Sequence, residues 1–137
     1  MRNRAVLLLA LTLACATAAP RLARHGIDWT AADDRWSVHL VTQDPTGRPR
    51  VTRIWLAMLD GVGVIRTGES RWAENLQANP DCRLRTLGVD YPLRAEFVTD
   101  PAQIAKIDAA FLEKYGWQER MISAQGHQHF MRLLPAP

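Results

Sequence analysis

The stretch from Arg53 to Pro80 constrains the fold more than any other part of the chain, because it contains a tight reversal between two strand-like runs. Asp60-Gly61 lies at that reversal. The two central residues of a type I′ hairpin turn both need a positive φ, which Asp and Gly tolerate. We therefore predict that residues 51–59 and 62–67 pair as antiparallel strands, and that the rest of the chain is arranged around this hairpin.

Capping signals predict two helices. Ser70 is placed to cap a helix over 70–78, and Pro80 is placed to stop it. Asp100, followed by a proline that suits the first helical turn, predicts a second helix over 101–115. Period-two alternation of side chains predicts further strands. Those strands are 36–43, 82–87, 91–98 and 127–133.

About six strands, mostly joined by hairpins, and two outer helices predict an α+β fold in which an antiparallel sheet curls into a barrel. This domain is predicted to span residues 36–134. Residues 19–35 are expected to form a flexible lead with a short helix capped by Thr30. Residues 121–126 have no regular pattern and are predicted to be irregular.

The first 18 residues carry the three parts of a secretory signal peptide in the right order. A basic start precedes the apolar run 5–16, which is too short to span a membrane, and an Ala-x-Ala cleavage site ends at Ala18. The mature chain would begin at Ala19, lack a transmembrane segment, and be periplasmic or secreted. Two alternatives are a buried N-terminal helix and a lipoprotein anchored to a membrane by an acylated Cys15.

The charge balance gives no sign of a nucleic-acid partner. Cleavage would remove two of the 17 basic residues, which leaves 15 against 14 acidic ones and no dense run of Lys or Arg. Cys82 would then be the only cysteine, so the mature domain is predicted to lack an internal disulfide and a cysteine-based metal cluster.

Several side chains in the central stretch are suited to an anion such as a phosphate. Arg53 and Arg66 lie on adjacent predicted strands, and Thr67 ends the second strand. Ser70 and Arg71 follow at a helix N-terminus, where unpaired backbone N–H groups and the helix dipole attract anions. The same residues could be structural, with Ser70 as a cap and the arginines paired with acids. The acids considered for such pairs with Arg53 and Arg66 are Glu69, Glu74 and Glu96.

The order of these elements resembles a known family. An Arg53-x-Trp-Leu-Ala strand, an Asp-Gly turn, a strand ending in Thr67, Ser70-Arg71 and a helix ending in Asn79-Pro80 are similar to the flavin-binding split barrel of pyridoxamine 5′-phosphate oxidase and its relatives. The run Trp-Ala-Glu-Asn-Leu-Gln-Ala-Asn-Pro at 72–80 is similar to one in the deazaflavin-dependent nitroreductase branch.

The resemblance extends from Trp36 to Leu133 and implies a homodimeric split barrel that binds FMN at the dimer interface and acts as an oxidoreductase on a small molecule. Trp72 stands where the family has a lysine, so F420, haem and a barrel that has lost its flavin stay open as alternatives. The resemblance implies cofactor binding by Arg53, Arg66, Thr67, Ser70, Arg71 and Trp72.

The histidines offer a different chemistry. His127 and His129 alternate along a predicted strand, so they are expected to share one face, and with His39 they could supply an axial ligand to haem. Two imidazoles could also bind a metal ion, but no carboxylate in the nearby sequence completes the ligand set. The sequence therefore predicts no metal site.

Overall fold

The computed structural model describes residues 18–123 and 126–137. The predicted signal peptide, apart from its last residue, lies outside these residues, and so does Cys15. Within the described ranges no helix combines the length and the apolar composition needed to cross a membrane.

The described part of the chain folds into one eight-stranded sheet and four helices. The strands are β1 (Arg21–Leu22), β2 (Val38–Gln43), β3 (Pro49–Ile54), β4 (Ala57–Leu59), β5 (Val62–Thr67), β6 (Asp81–Thr86), β7 (Val89–Phe97) and β8 (His129–Pro135). The helices are α1 (Trp29–Asp33), α2 (Arg71–Ala78), α3 (Pro101–Tyr115) and α4 (Trp117–Ser123).

The sheet has the order β3-β2-β6-β7-β8-β5-β4, with antiparallel pairing at every step, and β1 adds a short parallel pairing with β7. The predicted α+β class and the curled antiparallel sheet are confirmed. The predicted number of about six strands is too low. The two residues of β1 are too few to show a period, and the predicted strand 51–59 is two strands.

The break in that predicted strand lies at Trp55 and Leu56. β3 pairs with β2 and β4 pairs with β5, so the chain passes here between the two ends of the strand order. Side chains of α3 satisfy the backbone at the crossing. The Tyr115 hydroxyl accepts a hydrogen bond from Leu56 N (3.1 Å) and donates to the Leu56 carbonyl oxygen (2.9 Å), which also accepts from Lys114 Nζ (2.7 Å).

Most of the local signals correspond to the structure. Asp60 and Gly61 have φ angles of 52° and 77°, as a type I′ turn requires. Ser70 and Asp100 are the N-caps of α2 and α3. The predicted cap of the first helix is wrong, because the side chain of Asp28 accepts from the first-turn N–H groups in place of Thr30.

Residues 121–126 were predicted to be irregular. The first three of them belong to α4, which extends to residue 123. Its described side chains, those of residues 117–121, differ from the usual amphipathic pattern, because Trp117 and Met121 are exposed and Glu119 is buried. Among these residues a charged side chain takes the buried position, where an amphipathic pattern predicts an apolar one.

Two apolar cores lie on either side of β5. The larger core is inside the curled sheet, and its members include Leu40, Ile65, Trp72, Leu84, Met131 and Leu133. The smaller core lies between α3 and β4, β5 and β8, and it contains Ala57, Val64, Ile107, Phe111, Tyr115 and Phe130. The candidate site lies where these two cores meet.

Candidate functional site

A cavity of about 230 Å³ opens at the junction of the two cores. Four of the six predicted cofactor-binding residues border it. They are Arg53, Arg66, Thr67 and Trp72. Trp55 of the crossing segment, Phe111 of α3 and His127 complete much of the wall. The cavity therefore combines aromatic surfaces with two cations and an imidazole.

Arg53 is an exposed cation at the edge of this cavity. It lies at the end of β3, opposite His39 of β2. Across residues 18–123 and 126–137, no carboxylate lies within ion-pair distance of its guanidinium. A guanidinium is a planar fork of donors that matches carboxylate and phosphate oxygens. Arg53 is therefore available to an anionic ligand.

Arg66 has a different environment. Its side chain is only 4% exposed and forms ion pairs with Asp108 of α3 and Glu119 of α4. The guanidinium carbon lies 4.3 Å from the centre of the Phe111 ring, which is within cation–π range. Burial lowers the pKa of Arg66, and the hydrogen bond and charge of Asp108 oppose that shift. The acidic partners predicted from the sequence were Glu69, Glu74 and Glu96. In the structure the partners of Arg66 are Asp108 and Glu119.

Ser70 and Arg71 lie outside the lining of the cavity. Ser70 Oγ accepts from Ala73 N at 3.3 Å, as an N-cap does. Arg71 is 69% exposed, and its Nη1 lies 3.5 Å from a carboxylate oxygen of Glu74. An exposed pair of this kind contributes only ~0–1 kcal/mol, so the cation can leave it at little cost.

Aromatic rings form the apolar part of the wall. Trp72 is 7% exposed and belongs to the inner core while also facing the cavity. Trp55 stacks on Tyr115 with 4.2 Å between ring centroids and an angle of 10° between the planes. Tyr115 is fixed by its hydrogen bonds to Leu56, so the stack holds Trp55 in place. Neither Trp55 nor Phe111 is among the six residues predicted from the sequence to bind the cofactor.

The histidines occupy separate places. His127 precedes β8, so strand alternation does not put it on one face with His129, and that expectation is wrong. His129 Nε2 lies 3.6 Å from a carboxylate oxygen of Glu69, and His129 Nδ1 lies 3.5 Å from the amide nitrogen of Gln77. Burial, and secondly the charge of Arg66, lower the pKa of His127, while Asp108 acts in the opposite direction. His127 therefore presents a neutral imidazole to the cavity at pH 7.

Among residues 18–123 and 126–137, no three His, Cys, Asp or Glu side chains come together as a ligand set. What the site can offer chemically is charge at Arg53, aromatic surface at Trp55, Trp72 and Phe111, and one imidazole.

No protein-family model and no curated protein sequence matches the chain. Solved structures do match. The heme storage protein HutZ from Vibrio cholerae has a TM-score of 0.64 at 18% identity, over 82% of this chain and 92% of that one. A conserved hypothetical protein from Mycobacterium tuberculosis has a TM-score of 0.63 at 20% identity, over 77% and 76%. An FAD-binding protein from Mesorhizobium loti has a TM-score of 0.58 at 17% identity, over 80% and 85%.

At these identities the likeness establishes the fold alone. It agrees with the split-barrel fold that the motifs predict, and the chain shares that fold with heme-binding and FAD-binding proteins.

Proposed function

We propose that this protein binds a planar, anionic cofactor of the flavin type, with FMN as the first candidate, and that it is an exported oxidoreductase for a small molecule. The observation that carries the proposal is Arg53, a cation without an acidic partner in the described chain, at the edge of a cavity walled by Trp55, Trp72 and Phe111. A phosphate would bind the guanidinium, and a flat ring system would lie against the aromatic side chains.

The size of the cavity supports a second part of the proposal. Sites for small molecules have volumes of roughly 300–1,000 Å³, and this one has about 230 Å³ within a single chain. This cavity alone is therefore smaller than the usual site. A homodimer, with a second copy covering the rest of the cofactor, resolves this difference.

When bound, a flavin supplies the redox chemistry, and the protein supplies binding, orientation and electrostatics. Arg53 would fix the phosphate end, and Arg71 can leave its exposed pair with Glu74 to assist. Trp55 and Phe111 would exclude water from one side of the ring. His127 would contribute a neutral imidazole that can accept a hydrogen bond from the ligand or donate one to it.

Haem is the second candidate, because His127 offers a neutral imidazole at the cavity, and such a nitrogen can serve as an axial ligand. F420 carries an anionic group as well and is the third ligand to compare. A split barrel that binds none of the three is the remaining alternative.

The test uses the chain from Ala19 onward, which contains every described secondary-structure element. Absorption spectra and thermal unfolding are recorded with FMN, F420 and haemin, and sedimentation measures the oligomeric state with and without FMN. Arg53→Ala should weaken FMN binding by ~1.5–3 kcal/mol, the size of a hydrogen bond to a charged group.

The matched control is Arg50→Ala, since Arg50 is an exposed cation on the same strand that does not line the cavity. It should bind FMN as the wild type does. If FMN produces neither a spectral shift nor thermal stabilisation, the flavin proposal is wrong. A haemin spectrum that depends on His127 would then favour the second candidate.

A further inference from the structure

Two cavities meet at the ion pair between Arg66 and Glu119. The first is the candidate site of about 230 Å³. The second is a cavity of about 340 Å³, and Asp108 and Arg120 are part of its lining but not of the first cavity's. Arg66, Glu119 and His127 border both. The ion pair is therefore part of the wall that separates the two cavities.

Glu119 is an unusual residue for this position. The described side chains of α4 comprise residues 117–121, and Glu119 is the buried one, whereas Trp117 and Met121 are 68% and 70% exposed. A helix on a protein surface normally buries its apolar residues and exposes its charges. Within residues 117–121 this order is reversed, because the side chain that is buried and that borders the site is a carboxylate.

Two carboxylates share the single positive charge of Arg66. Asp108 and Glu119 both pair with this one guanidinium, so the three groups have a net charge of −1. The side chain of Asp108 is 47% exposed and remains partly hydrated, whereas that of Glu119 is 5% exposed. One of the two carboxylates can leave without removing the last counter-charge from Arg66, and Glu119 would regain full hydration by leaving.

From this geometry we propose that Glu119 occupies an anion-binding position on Arg66 that a carboxylate or phosphate group of a ligand also takes. Such a ligand replaces Glu119, joins the two cavities, and loosens α4 from the site. The joined cavity would lie within the roughly 300–1,000 Å³ usual for small-molecule sites. This inference deepens the proposed function, because it concerns the same site, and it assigns an autoinhibitory role to Glu119.

The exchange needs the incoming anion. Removing one partner of a buried ion pair leaves an undercompensated charge and is strongly unfavourable. A ligand that brings its own negative charge replaces the lost interaction, so the net cost of opening falls. A neutral ring compound without an acidic group should leave the pair intact.

The test compares Glu119→Gln with the wild-type full chain. The amide keeps the size of the side chain and removes the competing charge. Binding of inorganic phosphate and of FMN is measured by isothermal titration calorimetry. We expect Glu119→Gln to bind both anions about tenfold more tightly, a difference of ~1.4 kcal/mol. Glu96→Gln, which removes an exposed carboxylate that pairs with Arg132 and lines neither cavity, should leave both affinities unchanged.

Hydrogen exchange of α4 provides a second measurement that needs no variant. Saturation of the wild-type chain with FMN or with phosphate should speed amide exchange in residues 117–123. Unchanged or slower exchange there, or equal anion affinities in Glu119→Gln and wild type, would overturn the inference.

The outcomes also separate the inference from the flavin proposal. Tighter phosphate binding by Glu119→Gln without any binding of FMN would support the anion position and refute the flavin. Binding of FMN by the wild type with no gain for either anion in Glu119→Gln would do the reverse.

Discussion

The Tyr115 hydroxyl should stabilise the junction where the chain leaves β3 and enters β4. In Tyr115→Phe, the carbonyl of Leu56 keeps Lys114 Nζ as a donor at 2.7 Å. The N–H of Leu56 loses the acceptor that lies 3.1 Å away, in a residue that is 1% exposed. A buried donor left without a partner costs ~1–3 kcal/mol, so we expect the free energy of unfolding to fall by about that amount.

Equilibrium unfolding in urea, followed by tryptophan fluorescence, measures this change. The midpoint should move to lower urea while the slope stays the same. Tyr91→Phe is the matched control, because the structure gives the Tyr91 hydroxyl no hydrogen bond within the described residues. A loss below ~0.5 kcal/mol in Tyr115→Phe, or an equal loss in both variants, would refute the reasoning.

The same hydroxyl should make stability depend on pH at the alkaline end. Burial raises the pKa of Tyr115 from the ordinary 10.0 to about 12. A raised pKa in the folded state means that this contribution is complete below pH 10 and is lost as the pH rises toward about 12. Wild-type stability should therefore decline more steeply than that of Tyr115→Phe over this interval. Parallel declines would contradict the assigned cause.

Two further predictions concern the cysteines and the N-terminus. Burial, with the charge of Asp81 as a second cause, raises the pKa of the Cys82 thiol to about 12. In the chain from Ala19, Cys82 should resist a thiol reagent at pH 8 and react after unfolding, and rapid reaction of the folded chain would contradict this. Expressed with its own N-terminus in a bacterial host, the protein should be recovered from the periplasm with a mass that begins at Ala19. A chain that begins at a lipidated Cys15 would indicate the lipoprotein, and a cytoplasmic chain that retains Met1 would contradict export.

Local signals predicted much of the fold because turns and caps depend on neighbouring residues. The Asp60-Gly61 turn and the Ser70 and Asp100 caps involve groups no more than three residues apart. The break after β3 has a distant cause. Leu56 is held by Tyr115, 59 residues later, and the alternating pattern continues through the break without a signal.

For the candidate site, too, some residues could be predicted from the sequence and others could not. The sequence identified Arg53, Arg66, Thr67 and Trp72, which all line the cavity. It did not identify the acids that pair with Arg66. Asp108 is 42 residues away, and Glu119 is the buried residue among the described side chains of α4. A pattern search that takes charged positions as solvent-facing excludes such a residue at the outset.

The crossing between the two ends of the sheet is what creates the site. A regular strand through Trp55 and Leu56 would hydrogen-bond to a neighbour and would alternate its side chains between two faces. Because the chain changes partners there, three consecutive residues, Arg53, Ile54 and Trp55, all line one cavity. Tyr115 holds the crossing by its hydroxyl and holds Trp55 by its ring. Tyr115 therefore has two roles. Its hydroxyl satisfies the backbone of Leu56 where no neighbouring strand does so, and its ring holds Trp55 beside the exposed Arg53. A loss of these contacts should weaken ligand binding together with stability.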